Sequence, residues 1–200
     1  QHSGDAEEVA RRLADRTHAW PVTIASLAAK AVAKQVISQA QLRAEHAECA
    51  DGATQASEEC LETTLATYGK KLWRRSLLDS EIEEVMALAL DAQSEILTPL
   101  PGIETLLTAL LMSPHFLYIM APTVPMEEGG HRYSGMAMAS RISFLLWNSG
   151  PDEELLQAAE DGQLDTQEGL EEQVARMMTD PRTRRGVRAI FTDWWELDPV

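Results

Sequence analysis

The sequence predicts an all-α protein, an irregular bundle of about eight or nine helices with one disulfide-closed loop. Three observations predict it. Apolar residues recur at steps of three and four, helix-capping residues precede these stretches, and no stretch of useful length alternates between apolar and polar residues. An apolar fraction of 44% in 200 residues is enough for one large core or two small ones.

The first half of the chain divides into helices where Pro, Gly or small polar residues break the apolar pattern. Trp20-Pro21 ends the first helix. Ser80 and Glu83 have the spacing of a capping box, whose side chains satisfy free amides at a helix start. The helices predicted for this half cover residues 5–18, 23–47, 57–74, 80–95 and 103–112.

A loop at residues 121–133, rich in Pro and Gly, is the one domain boundary that the sequence predicts. It separates an N-terminal helical region, residues 1–120, from a C-terminal helical region, residues 134–200. Helix and loop lengths vary too much for a repeat of fixed period. We therefore expect two helical regions rather than a solenoid.

Capping residues also place the helices of the C-terminal region. Ser134 precedes an apolar periodic stretch, and Pro151 suits the first turn of the next helix. Asp165 and Glu168 form a second capping-box pattern, and Pro181 begins the last helix. The helices predicted here cover residues 134–147, 151–162, 165–178 and 181–195.

The charge balance excludes some partners. The chain has 32 acidic and 17 basic side chains, a formal net charge of −15. A nucleic-acid partner requires a concentrated basic surface, and anionic lipid would repel this protein. No apolar run approaches the ~20 residues that cross a bilayer, so we predict no transmembrane segment. The chain begins at Gln1 without a basic-then-apolar leader, and we expect a processed or trimmed product.

Cys49 and Cys60 are the only cysteines, and a small, polar segment separates them. A disulfide between them would close a short loop, contribute about 3 kcal/mol and indicate an oxidising compartment. The alternative is two unrelated thiols, one of them buried. The spacing is too long for a zinc knuckle and no second ligand pair exists, so we predict no metal site.

Two groups of stretches have distinctive sequences. The first runs from Cys60 to Glu81, and the second comprises residues 113–118, 139–152 and 176–182. Together they resemble the linked domains of unknown function 1595 and 1592 (DUF1595 and DUF1592) of large exported bacterial proteins. The resemblance begins at about residue 22, with the start of the DUF1592-like domain at residue 134.

The resemblance implies a bacterial protein in the periplasm or outside the cell. Many proteins of this kind also carry a c-type haem domain, but this chain has no Cys-x-x-Cys-His. We therefore expect no cofactor in this segment, and place any haem elsewhere in the parent protein or on a partner. The family normally continues past Trp194-Trp195, so we expect the chain to be a fragment with a truncated DUF1592-like domain.

Two positions depart from the family pattern. The usual Arg-Arg-Pro-Leu-Thr is replaced by the sequence from Arg74 to Leu78, which lacks the proline. Ala137 stands where the family usually has an acidic residue. If that carboxylate acts as a ligand or an acid in the family, this chain lacks it.

Six residues are candidates for contact with a partner or a cofactor. Arg74 and Arg75 could clamp a carboxylate or a haem propionate, or could complement the dipole of the helix that precedes them. His115 could be a ligand or a base, although no second histidine is suitably spaced and a structural role is the simpler interpretation. Arg141 lies in an apolar helix, where we expect it partly buried and paired with Asp152 or Glu153. The last two candidates are Trp194 and Trp195.

These last two residues would mark a partner surface if they are exposed. On the same helix, Arg182, Arg184, Arg185 and Arg188 form a basic face, which we expect to pair with the acidic segment at residues 152–172.

No nucleophile motif, phosphate loop or close carboxylate pair is present. We therefore predict a non-catalytic helical scaffold or docking module that binds other protein subunits or domains. The alternative is a component of a redox or electron-transfer assembly that is associated with a c-type cytochrome and holds its cofactor on another domain or subunit. A weaker alternative is glycan binding through exposed tryptophans.

Overall fold

The computed structural model describes residues 24–50, 52–94, 100–119, 121–126 and 129–195. The helix predicted at residues 5–18 lies outside these ranges. Within them the all-α prediction is confirmed, with ten α-helices, two short 3₁₀ turns and one two-stranded sheet. No helix in the described ranges is both long and apolar enough to cross a membrane.

The helices of the first half follow the sequence prediction except at one point. Their bounds are α1 (residues 24–38), α2 (Ala40–His46), α3 (Glu58–Trp73), α4 (Asp79–Ser94) and α5 (Pro101–Met112). The single helix predicted over 23–47 is wrong, because Gln39 is extended (φ −92°, ψ 114°) and separates α1 from α2. The Arg43 guanidinium donates to the carbonyl of Ile37 at 2.8 Å and so satisfies an acceptor at the end of α1.

The second half contains the remaining helices and the sheet. Their bounds are α6 (Pro114–Leu117), β1 (Thr123–Pro125), β2 (His131–Tyr133), α7 (Gly135–Trp147), α8 (Glu153–Glu160), α9 (Gln167–Met178) and α10 (Arg182–Trp194). The two strands lie within the predicted loop and pair antiparallel, with Val124 opposite Arg132. The prediction treated this segment as loop because three-residue strands are too short to show alternation.

Of the starts predicted for α7 and α8, the first is confirmed and the second shifts along the chain. Ser134 caps α7 as expected and accepts from the Ala137 amide at 3.2 Å. Asp152, rather than the first-turn Pro151, begins the next helix, and its carboxylate accepts from the Leu155 amide at 3.0 Å. The prolines and capping residues therefore locate helix starts to within a turn.

The two predicted capping boxes are wrong in detail. Thr166, not Asp165, caps α9 and accepts from the Gly169 amide at 3.1 Å. Asp165 instead pairs with Arg132 of β2. Ser80 is the second residue of α4, which begins at Asp79. A side chain caps a helix only from the residue before its first turn. A capping-box spacing alone therefore does not determine where the helix begins.

The chain forms two compact units that alternate along the sequence. The first unit comprises residues up to 65 together with 79–113, and the second comprises 66–78 together with 114–200. The division into two regions at residues 121–133 stays a prediction.

The first unit packs α4 against α5. Gly102 makes this possible, because a Cβ there would lie 2.6 Å from the Cγ of Gln93. The Gln93 side-chain amide in turn binds Ala56 twice, accepting from its N–H at 3.0 Å and donating to its carbonyl at 2.9 Å. These two bonds hold the loop before α3, the helix whose first turn contains the disulfide-bonded Cys60.

The disulfide prediction is confirmed. Cys49, in the 3₁₀ turn at Glu48–Ala50, is bonded to Cys60 in the first turn of α3. Ser57 accepts from the Cys60 amide at 3.1 Å, which fixes the start of that helix. The bond closes the loop between α2 and α3, and a disulfide of this kind is typical of an oxidising compartment.

The second unit is built around Trp147, which is 1% exposed. Its indole N–H donates to the carbonyl of Met177 at 3.1 Å, and the guanidinium of Arg182 lies 3.5 Å from the ring centroid. Helix α10 approaches α7 at Gly186, where a Cβ would lie 2.0 Å from the Leu146 carbonyl oxygen. Only glycine permits this approach.

Asp152 joins three helices of this unit. Besides capping α8, it accepts two hydrogen bonds of 3.0 Å from Arg176 and one of 2.9 Å from Arg182. Burial alone would raise the pKa of Asp152, but these bonds and the Leu155 amide outweigh it and hold the pKa below its ordinary value. Arg182 likewise lowers the pKa of Asp180 to about 2.

Removing the disulfide should destabilise the protein. Replacing Cys49 and Cys60 together by Ser restores the freedom of the closed loop in the unfolded chain, so we expect a loss of about 3 kcal/mol in the free energy of unfolding. Urea denaturation of the oxidised protein and the double variant measures it. Equal stability would contradict the role given to the bond, and mass analysis without reductant tests the bond itself.

Removing the charge of Asp152 should cost stability without removing the helix cap. Asn also caps a helix, so Asp152→Asn isolates the ion pairs, and we expect a loss of about 1–3 kcal/mol at pH 7. The exposed Glu172→Gln is the matched control, with a change within about 0.5 kcal/mol. Urea denaturation measures both variants.

The difference in stability between the wild-type protein and Asp152→Asn should depend on pH. The folded pKa of Asp152 is lowered, so its stabilisation is complete above the unfolded value of about 3.9 and is lost as the pH falls through the folded pKa. The stability gap between wild type and Asp152→Asn should therefore narrow below about pH 4. A gap that widens there would contradict the assignment.

Candidate functional site

Arg74 follows the last residue of α3 and lies in the left-handed region, with φ of 57°. A side chain with a Cβ is strained there, and helices that end this way usually have Gly or Asn at this point. The residue is only 7% exposed. Its guanidinium donates from Nη2 to the carbonyls of His115 at 2.5 Å and Tyr118 at 2.8 Å, and from Nη1 to that of Leu72 at 3.2 Å.

This arrangement makes Arg74 a cap for the backbone around α6. Its charge also lies 5.6 Å from the centroid of the Phe144 ring. No described carboxylate forms an ion pair with it, and burial lowers the pKa of the guanidinium. An arginine side chain nevertheless keeps its charge in a protein. A cation whose hydrogen bonds are all to neutral carbonyls leaves a positive field at this position.

Arg75 points differently, so the two arginines do not form one clamp. Its guanidinium lies 5.5 Å from the centroid of the Trp73 ring, and Nη1 donates to the carbonyl of Ser76 at 2.9 Å. The imidazole of His115 packs against the same indole, with ring centroids 5.2 Å apart. Trp73 is therefore a platform that two of the candidates, Arg75 and His115, both contact.

These groups border a pocket of about 420 Å³ that lies wholly in the second unit, here called the Trp73 pocket. It is lined by Trp73, Arg74, Arg75, His115, Ala121, Pro122, Met136, Ala137 and Ser140. Three of the six candidate residues thus line one pocket, together with the position of the missing acidic residue. Met136 and Ser140 were not among the six predicted candidates, because the face of α7 on which they lie depends on packing against elements distant in sequence.

The expected partners of Arg141 are wrong. Its side chain is exposed, and its guanidinium lies 4.5 Å from the centroid of the Tyr133 ring. Asp152 is occupied by Arg176 and Arg182 instead. The apolar periodicity predicted the correct helix but the wrong face for Arg141. The side chain lies away from the apolar side of α7 and contacts Tyr133 of β2.

Trp194 and Trp195 are exposed, at 77% and 63%. Val187 and Phe191 are also exposed on the same helix, and the Phe191 and Trp195 rings stack with centroids 4.9 Å apart. Residues 187, 191, 194 and 195 are spaced by three, four and eight, so they form one stripe along α10. We call this the α10 face. Its helical spacing was readable in the sequence.

The basic residues of α10 divide into two groups. Arg182 forms ion pairs with Asp152 and Asp180. The pair with Asp152 agrees with the expected pairing of this helix with the acidic segment. For Arg184, Arg185 and Arg188 that expectation is wrong within the described residues, where these exposed side chains form no ion pair. Three positive charges therefore accompany the apolar stripe.

No group of three His, Cys, Asp or Glu side chains is placed to hold a metal ion in the part of the chain that the structure describes. Both cysteines are in the disulfide, so neither can bind haem covalently.

Replacing Arg74 by Lys should destabilise the second unit. A lysine has one ammonium group and cannot bind the carbonyls of Leu72, His115 and Tyr118 together. We therefore expect a loss of about 1–3 kcal/mol in the free energy of unfolding, because carbonyls are left without a donor. Arg188→Lys, at an exposed arginine of the same unit, is the control and should change stability by no more than about 0.5 kcal/mol. Urea denaturation compares them, and equal losses would contradict a structural role specific to Arg74.

Comparison with family models gives two matches. Residues 60–120 match PSD5, a protein of unknown function (DUF1595), and residues 134–200 match PSD4, a protein of unknown function (DUF1592). Neither the curated proteins nor the solved structures contain a match to the chain. The resemblance drawn from the sequence is confirmed. The chain is therefore similar to the DUF1595 family over residues 60–120 and to the DUF1592 family over residues 134–200, and both families are of unknown function.

Proposed function

We propose that this chain is a non-catalytic helical docking module of an exported bacterial protein, and that the α10 face binds a partner protein. The observation that carries the proposal is the row of exposed Val187, Phe191, Trp194 and Trp195. Soluble proteins rarely expose contiguous large apolar side chains without a partner, and tryptophan is the residue most enriched at interface hot spots.

The charges define the chemistry of the partner. Arg184 and Arg188 lie beside the apolar row on the helix surface, and neither pairs with a described carboxylate. A complementary surface is an apolar groove edged by acidic residues. A second copy of this chain is a poor occupant, because two molecules of formal charge −15 repel each other.

The disulfide supports an exported location for the module. Cytosolic thiols are kept reduced, whereas a disulfide such as Cys49–Cys60 persists in the periplasm or outside the cell. We place the module there, with its partner in the same compartment.

An interaction experiment tests the docking proposal. The protein is used to capture partners from a periplasmic extract of its source bacterium, and the captured protein is identified, purified and titrated by calorimetry. We expect Trp194→Ser with Trp195→Ser to weaken binding at least about 100-fold, since each hot-spot side chain contributes about 2 kcal/mol or more. Leu88→Ser, a 54%-exposed apolar control on α4, should bind as wild type does.

Further readouts separate the charge from the apolar contact. Arg184→Gln with Arg188→Gln should reduce the association rate and its dependence on salt. Unchanged affinity of the tryptophan variant, a basic contact surface on the partner, or dimerisation of the chain alone through α10 would each overturn the proposal. So would turnover of a substrate by the isolated monomer.

The redox assembly is the second candidate. Its single favouring observation is that Arg74, Arg75 and His115 line one pocket, as a site near a cofactor requires. The disulfide occupies both cysteines, so a covalently attached c-type haem would have to belong to another domain or subunit. A visible absorption spectrum and metal analysis of the parent protein decide it, and the absence of both haem and metal would rule it out.

A further inference from the structure

We propose that a further pocket of the second unit binds a straight-chain aliphatic carboxylate, with its chain against the Phe144 side of the pocket and its anionic head on Lys71. This cavity, here called the Phe144 pocket, has a volume of about 510 Å³, within the ordinary range for sites that hold small molecules. It shares no lining residue with the α10 face, so the proposal does not depend on docking.

The apolar side chains of the Phe144 pocket define the body of the ligand. They come from α3, from α6 and the segment after it, and from α7: Leu72, Phe116, Leu117, Ile119 and Phe144. In the part of the chain that the structure describes, Lys71 and Arg74 are the only lining residues with a polar side chain. The polar groups of a sugar or a peptide would lose hydrogen bonds to water against such a surface, whereas an aliphatic chain has none to lose.

The apolar lining is also open to solvent on one side. Leu117 and Ile119 are 43% and 51% exposed, whereas the Phe144 ring is half-buried. A chain that extends from Phe144 across Leu117 would remove apolar surface of the protein and of the ligand from water. This burial supplies the main part of the expected affinity.

Lys71 supplies the contact with the anionic head. It is an exposed residue in the last turn of α3, and it lines the same pocket. A lysine stem lies along apolar surface while its ammonium donors face water, which suits a ligand with a buried chain and a solvated carboxylate. The preceding Lys70 has a different role, because Glu153 and Glu160 hold its ammonium group.

Arg74 makes the pocket selective for a negative head. Its guanidinium lies 5.6 Å from the centroid of the Phe144 ring and donates to backbone carbonyls, which are neutral. Its charge therefore acts as a positive field in the pocket wall, where water screens it less than at the surface. A free carboxylate fits this field better than an anionic membrane does, since a chain of formal charge −15 is repelled by such a membrane.

Titration of the whole chain with octanoate and with the uncharged octanamide, followed by NMR chemical shifts, tests the proposal. The two probes have chains of equal length, so the ratio of their dissociation constants isolates the carboxylate. We expect octanoate to bind about fivefold more tightly, the upper end of what an exposed ion pair contributes, because the charge of Arg74 adds to that of Lys71. Lys71→Gln should abolish this preference without weakening octanamide. Lys34→Gln, at an exposed lysine of the first unit, should retain it.

The length of the probe tests the apolar lining. A fully buried methylene contributes about fourfold in affinity, so octanoate should bind at least about fivefold more tightly than hexanoate. Leu117→Ser should weaken octanoate and octanamide by the same factor. Leu88→Ser, at an exposed leucine of the first unit, should weaken neither.

Nuclear Overhauser contacts locate the probe without a variant, and we expect them between the octanoate chain and the Phe144 ring. Equal binding of octanoate and octanamide, a preference that survives Lys71→Gln, or equal binding of octanoate and hexanoate would each overturn the proposal. So would contacts only to the α10 face, or binding only at concentrations at which octanoate forms micelles.

Discussion

The hydrogen bonds of the Arg74 guanidinium are the contacts on which the Trp73 pocket depends. The chain leaves α3 through a left-handed residue, a conformation that costs a non-glycine about 1 kcal/mol, and the same residue then binds the carbonyls of His115 and Tyr118. Several hydrogen bonds to a charged donor offset this strain. Because they fasten the end of α3 to the α6 turn, they place His115 against Trp73 and form one wall of the pocket.

The same contact explains why the twin arginines have separate roles. Neighbouring arginines in a sequence invite the interpretation of a bidentate clamp, but Arg74 turns inward to backbone oxygens and Arg75 turns over an indole. A buried arginine and a half-buried one lie next to each other in the chain. In a protein of charge −15, they make the Trp73 pocket a local exception to the acidic surface, and the α10 face is another.

Helix positions could be predicted from the sequence because apolar periodicity and capping residues are local signals. Ser134 is correct as a cap, and α3, α7 and α9 start within two residues of their predicted positions. The break at Gln39 could not be predicted, because no Pro or Gly marks it and the bond from the Arg43 side chain to the Ile37 carbonyl forms only in the folded chain. The hairpin that contains Val124 was not predicted, because strands of three residues are too short to show an alternating pattern.

The candidate site was predictable in its residues but not in its geometry. Arg75, His115 and Trp194 stand out by residue type in a helical sequence, yet only the fold shows that the first two share the Trp73 platform. Arg141 shows the converse error, since an arginine on an apolar helix was expected to find a carboxylate and instead lies on Tyr133. Side-chain direction is set by neighbours that are distant in sequence.

Arginine side-chain NMR tests the central claim, that backbone carbonyls hold the Arg74 guanidinium in place. A guanidinium whose Nη groups are held by carbonyls rotates slowly and exchanges its protons slowly with water. The account predicts resolved, slowly exchanging Nη resonances for Arg74 at neutral pH and averaged resonances for exposed arginines such as Arg188. Averaged resonances for Arg74, equal to those of Arg188, would contradict it.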